Sequence, residues 1–456
     1  MRVMENPRAR TVFLVVVLFT LLAGDAWRYT LGWTGWAILV GLLAVVSVAL
    51  LVLQRSRWRV GNLPFPLLAF LALTVLSIAW SFYPGATALG AATTLFTVAA
   101  AVSVAVTYSW SEILRGLGLA LRFVLGLSLL FELFVAVVIR RPVLPPVPEP
   151  GIDYAALPDK IPLMLYWSRN ELFEVLDGGK IQGIVGNSAL LSFVALLGLI
   201  VFALQLADKT VRKRTGLPWL VVAILCFAFT RSATNILGLV AVVVVVVAVL
   251  LVRRAVSPTR RAITYAAIVA VVLALVTAAL VFWEQVLALL GKSSDLTNRA
   301  QIWHDVIALA QQRPAQGWGW VSYWVPWVNP FDTLAENNGV RQLHAHNAWI
   351  DIFFQLGIIG LVIFGALVVS TLVRTWLHAI DTAQSAPGIR GSYTAATLLP
   401  LLVVVALVVQ SLAESRLLVE YGIFLLALMA VKTKLPPTGR LEPVPSRSRP
   451  SAPRAG

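Results

Sequence analysis

The chain has 456 residues, of which 59% are hydrophobic and only 12% charged, with a mean hydropathy of +0.85. That composition lies outside the range of soluble domains and points to an all-α, polytopic membrane protein. A formal net charge of +15 would suggest a nucleic-acid partner in a soluble protein; here its distribution along the chain argues against one.

Apolar runs long enough to cross ~30 Å of hydrocarbon, roughly 20 residues each in a helix, recur from Thr11 to Val431. About twelve spans are expected, at residues 11–24, 33–53, 64–82, 86–107, 117–139, 187–207, 217–230, 234–252, 262–287, 348–373, 394–413 and 417–431. Residues 1–10 form a short basic N-terminus. The run that follows shares the pattern of a secretory signal, but eleven further spans argue for an uncleaved first helix. Threading the chain through these spans puts its basic clusters on one side: Arg8 and Arg10, Arg55 to Arg59, Lys209 to Arg214, Arg253 to Arg261, and the tail from Lys432. Both termini are therefore expected in the cytoplasm, with the transmembrane domain at 11–431 in the cell membrane. Residues 432–456 read as a disordered basic tail drawn to anionic headgroups. Cys226 is the single cysteine, so the chain can form neither an intramolecular disulfide nor a cysteine metal cluster.

Two long segments, about 140–186 and 289–347, fall on the outer face, and chemistry is expected there. The first holds seven prolines between Pro142 and Pro162 and reads as a stiff, extended path, with a short helix predicted at 168–176. Beyond it, residues 217–252 would make a single helix ~54 Å long at 1.5 Å per residue. The chain is therefore predicted to turn at "RSATN", with Arg231 at the outer end of a tight hairpin. An arginine there either snorkels to headgroups or serves an anion.

In the second outer segment, "NRAQIWHDVIALAQQRP" places Ile302, Trp303, Val306, Leu309 and Ala310 at helical spacing, with Arg299 opening the helix. An arginine at a helix start opposes the helix dipole, so capping does not explain it; a solvated surface arginine is the plain alternative. An irregular aromatic stretch, "GWGWVSYWVPW", follows. Trp303, Trp318 and Trp320 fit an interfacial aromatic belt or, more sharply, a platform for sugar rings.

His346 stands at the outer start of the tenth span, where an imidazole can take up a proton near neutral pH. A lone interfacial histidine more commonly just hydrogen-bonds. His344 and His346 have no third ligand at suitable spacing, so no metal site is predicted. The outer segments also lack the Asp-x-Asp or Asp-x-Glu pair that holds a divalent cation against a pyrophosphate; any phosphate bound there would call on arginine.

Taken together, these positions resemble the O-antigen ligase family, which includes related polysaccharide polymerases and protein O-oligosaccharyltransferases. His346 and Asn347, nine residues, then Gly357, Ile358, Ile359 and Gly360 fit its His-Asn and Gly-x-x-Gly pattern. "FTRSATNILGLV" is similar to its arginine segment, although Thr230 and Ser232 flank the arginine where many members have Ser-Arg-Gly. "NRAQIWHDVIALAQQRPAQGWGW" is similar to its Arg, Ile-Trp, Pro, Gly-x-Gly stretch, and "GIVGNSALLSFVALLG", with Asn187, to its Gly and Asn approach to an earlier span. The resemblance covers about 183–375.

The resemblance implies a metal-independent membrane glycosyltransferase without cofactor. Its donor would be a glycan on undecaprenyl pyrophosphate, and its acceptor hydroxyl would belong to a glycan, lipid, protein or wall component at the outer face. Arg231 and Arg299 would bind the pyrophosphate and His346 would act as base, with Asn347, Trp303, Trp318, Trp320 and Asn187 as candidate binding residues. A polymerase using the same donor as acceptor is the first alternative. A lipid-linked glycan flippase is the second; it predicts ionisable residues midway along the spans, which are nearly free of charge, with Glu132 and Arg122 the main exceptions. A cell-wall polymerase of the shape-and-division type would look to an outer acid, Asp305 or Asp351.

Overall fold

The computed structural model describes residues 6–148, 152, 154, 161–255, 257–281, 295–337, 340–381, 384–386, 389–390 and 394–435. Among these lie thirteen α-helices: α1 (Pro7–Leu22), α2 (Gly24–Leu53), α3 (Phe65–Leu76), α4 (Pro84–Thr107), α5 (Trp110–Phe134), α6 (Ser188–Ala207), α7 (Lys213–Thr230), α8 (Ala233–Arg254), α9 (Pro258–Val281), α10 (Asp295–Ala310), α11 (Ala348–Ile380), α12 (Leu399–Ser411) and α13 (Glu420–Lys432). Strands among the described residues are confined to two short antiparallel pairs, Glu336–Asn337 with Val340–Arg341 and Gln384–Ala386 with Ile389–Arg390.

The chain is an all-α, polytopic membrane protein. A helix stands at each expected span, and seven are long and apolar enough to cross a membrane: α2, α4, α5 with its continuation to Ile139, α6, α7, α8 and α11. Of the expected segments, the tail beyond residue 435, residues 1–5, the end of the ninth span and the first part of the second outer segment lie outside the described residues.

Local sequence explains where several helices begin. The Asn187 side chain accepts the N–H groups of Ala189 and Leu190 and caps α6, Asn347 does the same for α11, and Ser109 with Glu112 forms a capping box at α5. α6, α12 and α13 are apolar on every face and accordingly sit buried at the centre. Apolar residues such as Val240, Val243 and Val362 lie exposed on the outside, as a lipid-facing surface requires.

The hairpin between α7 and α8 is as tight as expected. Arg231 takes a left-handed backbone with φ +49°, and α8 begins at Ala233, so only two residues turn. The helix expected at 168–176 is not formed. Only a single 3-10 turn, Leu172–Glu174, appears there, because Ser168 pairs across an isolated bridge with Val143 and donates its hydroxyl to Glu132 at 2.6 Å, while Asn170 is left-handed. Glu132 also accepts the N–H groups of Gln182 and Gly183 at 2.8 and 2.7 Å. This span carboxylate thus anchors the first outer segment.

The second outer segment is locked onto α11 where that helix breaks. Gly357 has φ +63° and ψ −162°, and its neighbours Ile358 and Ile359 donate backbone N–H groups to Pro314 and Ala315 at 2.8 and 3.2 Å. From the other side, Trp318 and Gly319 donate to the Phe354 and Gln355 carbonyls at 3.0 and 2.9 Å. The close neighbour of Gly357 is the backbone of this irregular loop, at Ala315 and Gln316.

Candidate active site

α10 brings its apolar stripe, Ile302, Val306 and Ala310, into the core, so that Arg299 and Trp303 project toward the segment before α11. The helix starts at Asp295, a full turn earlier than expected, so Arg299 does not open it. Its position is explained by what it meets. Nη1 donates to the Ala413 carbonyl at 2.9 Å, and Nη2 pairs with Glu414 Oε1 at 3.1 Å. Ala413 and Glu414 follow the C-terminus of α12, where a cation is favoured by the helix dipole.

The segment His344–Asn347 is pinned along its length. Trp303 donates its indole N–H to the Ala345 carbonyl at 2.8 Å. The Ala345 N–H reaches Asp351 at 3.0 Å, and Asp351 also accepts the Ser415 hydroxyl. The His346 N–H donates to His344 Nδ1 at 3.1 Å. These ties hold His346 at φ +51°, a left-handed conformation that costs energy for a residue with a Cβ and recurs at functional sites.

The His346 ring lies between two side chains. Nδ1 is 3.4 Å from Glu414 Oε2, and Nε2 is 3.0 Å from Gln342 Oε1. Glu414 is 7% exposed. Burial alone would push its carboxyl up, but His346, Arg299 and His344 outweigh burial and hold it well below the usual carboxylate range. Half-buried His344 is pushed well below the ordinary histidine value by desolvation and by His346, Arg416 and Arg299, and its Nδ1 accepts the His346 N–H. A second charged group adjoins. Arg416 lies over the Tyr323 ring at 5.8 Å and donates to Glu420 at 2.7 Å, and Glu420 is shared with Arg28, which also pairs with Asp25.

Arg299 and His346 are thus brought together through Glu414. Arg231 stands apart from them: its described partner is the Val175 carbonyl at 3.0 Å, and no hydrogen bond or ion pair among the described residues joins it to Arg299 or His346. Asn347 has both ends of its amide engaged, accepting from Trp349 and Ile350 and donating to the Leu412 carbonyl at 3.1 Å. Asn187 caps α6. Two of the tryptophans need correcting as sugar platforms. Trp320 is fully buried with its N–H on Thr94, and Trp318 is 9% exposed with its N–H on the Leu309 carbonyl. Neither ring offers an open face. Trp303 is half-buried and acts on the Ala345 carbonyl.

The third group missing beside the two histidines in the sequence is supplied by Glu414. His344, His346 and Glu414 can each offer a ligand atom, all within 4.8 Å of one another. Arg299 already occupies one Glu414 oxygen, and His344 Nδ1 receives a backbone N–H. Glu414, Gln342 and Arg416 all escaped sequence reasoning. The one signal for Glu414 and Arg416 was the charged turn "AESR" between two apolar runs.

Residues 218–365 match the family model described as O-antigen ligase. Over this segment the chain is similar to the O-antigen ligase family. The match runs from α7 into α11 and takes in Arg231, Arg299 and His346, while Glu414 lies beyond its end. Over 90 residues, 19% of this chain, the sequence is also 30% identical to the exopolysaccharide production protein ExoQ of Rhizobium meliloti (strain 1021). The matched stretch spans about a fifth of that relative's length, 21%.

Proposed function

We propose that this chain, like the O-antigen ligase family it resembles over residues 218–365, is a glycosyltransferase that moves a glycan from an undecaprenyl-pyrophosphate donor to an acceptor hydroxyl at the outer face of the cytoplasmic membrane, with both termini inside. The observation that carries the reading is the meeting of Arg299 and His346 on one carboxylate, within the segment bounded by α10 and the start of α11. In the reaction, the acceptor oxygen forms a bond to the anomeric carbon as its proton passes to His346 Nε2. The bond from that carbon to the pyrophosphate oxygen breaks, and its electron pair leaves with the lipid pyrophosphate. Arg299, with Arg231 contributing from the α7–α8 turn, stabilises the negative charge that builds there. The chemistry as written moves one proton and one electron pair and calls on no metal.

The acceptor defines the second reading. A relative whose name speaks of exopolysaccharide production favours a polymerase, in which another lipid-linked glycan supplies the hydroxyl. A flippase is less well supported, because Glu132 is spent anchoring the first outer segment and Arg122 donates to Gln205 at 3.2 Å between packed helices. The cell-wall polymerase reading is weakened in the same way: Asp351 is fully buried and engaged, and Asp305 is turned to Gln301 and His304 on the exposed side of α10.

The test is transfer by the full chain in liposomes, with a chelator present and acceptors supplied one at a time. Ala at His346 should lower the rate by about 10²- to 10⁴-fold, the usual contribution of a general base, and Ala at Arg299 or Arg231 should also abolish most transfer. Full activity of His346→Ala would remove the base from the mechanism. Lengthening of the donor glycan with no second acceptor would select the polymerase.

A further inference from the structure

We propose that Glu414 is the positioning residue of this site: it fixes the His346 ring with Nδ1–H toward its own carboxylate and Nε2 toward the acceptor hydroxyl, while its other oxygen sets Arg299. The inference rests on the glycosyltransferase reading and adds a residue outside the family match.

The geometry supports it in three ways. First, Glu414 is the described link between two residues whose separation matters. No hydrogen bond or ion pair among the described residues joins Arg299 to His346 directly, yet Oε1 lies 3.1 Å from the guanidinium and Oε2 lies 3.4 Å from the imidazole. Second, the turn carrying the carboxylate is itself held. Asn347 donates to the Leu412 carbonyl, Arg299 to the Ala413 carbonyl, Ser415 to Asp351, and Arg416 to Glu420. A carboxylate held on both sides in the chain has little freedom to follow the groups it orients. Third, burial selects for pairing, because an ionised carboxylate removed from water is costly unless it is hydrogen-bonded to charged partners.

The consequence is tautomeric. A neutral imidazole carries one N–H, and an anion beside Nδ1 keeps that proton there, leaving the Nε2 lone pair to receive the proton of the acceptor. Gln342 Oε1, an acceptor, lies 3.0 Å from Nε2 and can take only an Nε2–H, so Glu414 and Gln342 compete for the ring proton and an attacking hydroxyl must displace Gln342 to meet the Nε2 lone pair. When the ring becomes an imidazolium, the same carboxylate stabilises it, and a 3.4 Å contact has room to shorten as charge develops. The charged and titratable groups that face the ring are His344 from its own segment, Asp351 from α11, Arg299 from α10, and Glu414 and Arg416 from the turn after α12.

Two variants of the full chain in liposomes test this. Glu414→Gln keeps the shape and removes the charge, and Glu414→Asp keeps the charge on a shorter arm. Transfer kinetics with pyrophosphate-linked donor should show kcat for Glu414→Gln lowered by about 10- to 100-fold, a part of the 10²–10⁴ that a base supplies, with partial recovery in Glu414→Asp. Solid-state ¹⁵N spectra of histidine-labelled protein provide the second readout. With only four histidines in the chain, the His346 signals can be assigned by their loss in His346→Gln. At mildly alkaline pH, His346 should be the Nδ1–H tautomer in the parent protein, and Glu414→Gln should shift it toward Nε2–H. A parent-like kcat in Glu414→Gln, or a reduced kcat with an unchanged tautomer, overturns the proposal. If the parent protein transfers no glycan from this donor, the glycosyltransferase reading fails, while the tautomer spectra still decide whether Glu414 orients His346. Should Glu414→Gln fail to fold, Glu414→Asp decides instead: a parent-like kcat combined with a mixed tautomer would be incompatible with the role assigned.

Discussion

Replacing Gly357 with alanine tests the crossing that locks the second outer segment onto α11. Its φ of +63° and ψ of −162° belong to a region almost restricted to glycine, and holding another residue there costs about 1–3 kcal/mol. The added Cβ would also press on the Ala315 carbonyl and lie 2.7 Å from the Gln316 nitrogen. These are backbone atoms with no rotamer to escape into. The loop could retreat only by giving up the hydrogen bonds from Ile358 to Pro314 and from Ile359 to Ala315, each worth about 0.5–1.5 kcal/mol net. Strain and two lost bonds together amount to about 2–6 kcal/mol. The assay is thermal unfolding of the detergent-solubilised full chain followed by tryptophan fluorescence. Gly41→Ala serves as the control: a Cβ at Gly41, inside α2, meets nothing within 4 Å, and alanine should stabilise that helix by about 0.8–1.0 kcal/mol. Gly357→Ala should melt well below the parent protein and Gly41→Ala at or above it. A Gly357→Ala protein that melts with the parent would show that the crossing does not carry the strain assigned to it.

Asp351→Ala should leave the buried Ala345 N–H without a partner, lowering stability by about 1–3 kcal/mol and loosening the segment that carries His346; unchanged melting and unchanged transfer would contradict this. Trp320→Phe should lose the buried N–H bond to Thr94 and leave a cavity where the indole was, costing more than the ~1 kcal/mol of the bond alone, and leave KM for the donor unchanged; a large rise in KM would restore Trp320 as a sugar contact. For His344, burial and neighbouring cations depress the folded value below the ordinary 6.5, so the unfolded chain binds the additional proton and stability is lost as pH falls below that value. Melting temperatures between pH 7.5 and 5.5 should therefore decline more steeply for the parent than for His344→Gln, and parallel slopes would remove the linkage.

Much of the fold could be read from hydropathy, because a span must be apolar over a fixed length and the loops between spans must carry the charge. The same reasoning located the α7–α8 turn, where a single helix would have been too long, and α10, where Ile302, Val306 and Ala310 share a face. What periodicity does not encode is contact between segments far apart in the chain. Arg299 and Glu414 are 115 residues apart and meet only because the end of α12 arrives beside α10. Trp318 and Trp320 failed as platforms for a related reason: an indole suits an interface and a core equally well, and the sequence does not say which side of the loop faces α4. Gly357 meets the loop backbone at Ala315 and Gln316, an approach that its place in a Gly-x-x-Gly spacing does not reveal.

The charge balance around His346 bears on which groups can take a pyrophosphate. Asp25, Glu420 and Glu414 offset Arg28, Arg416 and Arg299, so the paired cluster adds little net positive charge. On the proposed reading, an incoming pyrophosphate gains from Arg299 only as Glu414 yields part of its hold on that guanidinium, which leaves more of the carboxylate's charge for His346 at the moment the ring takes up a proton. Arg231 differs in kind. Its described partner is a backbone carbonyl and not a carboxylate, so among the described residues it brings a positive charge that no paired acid offsets.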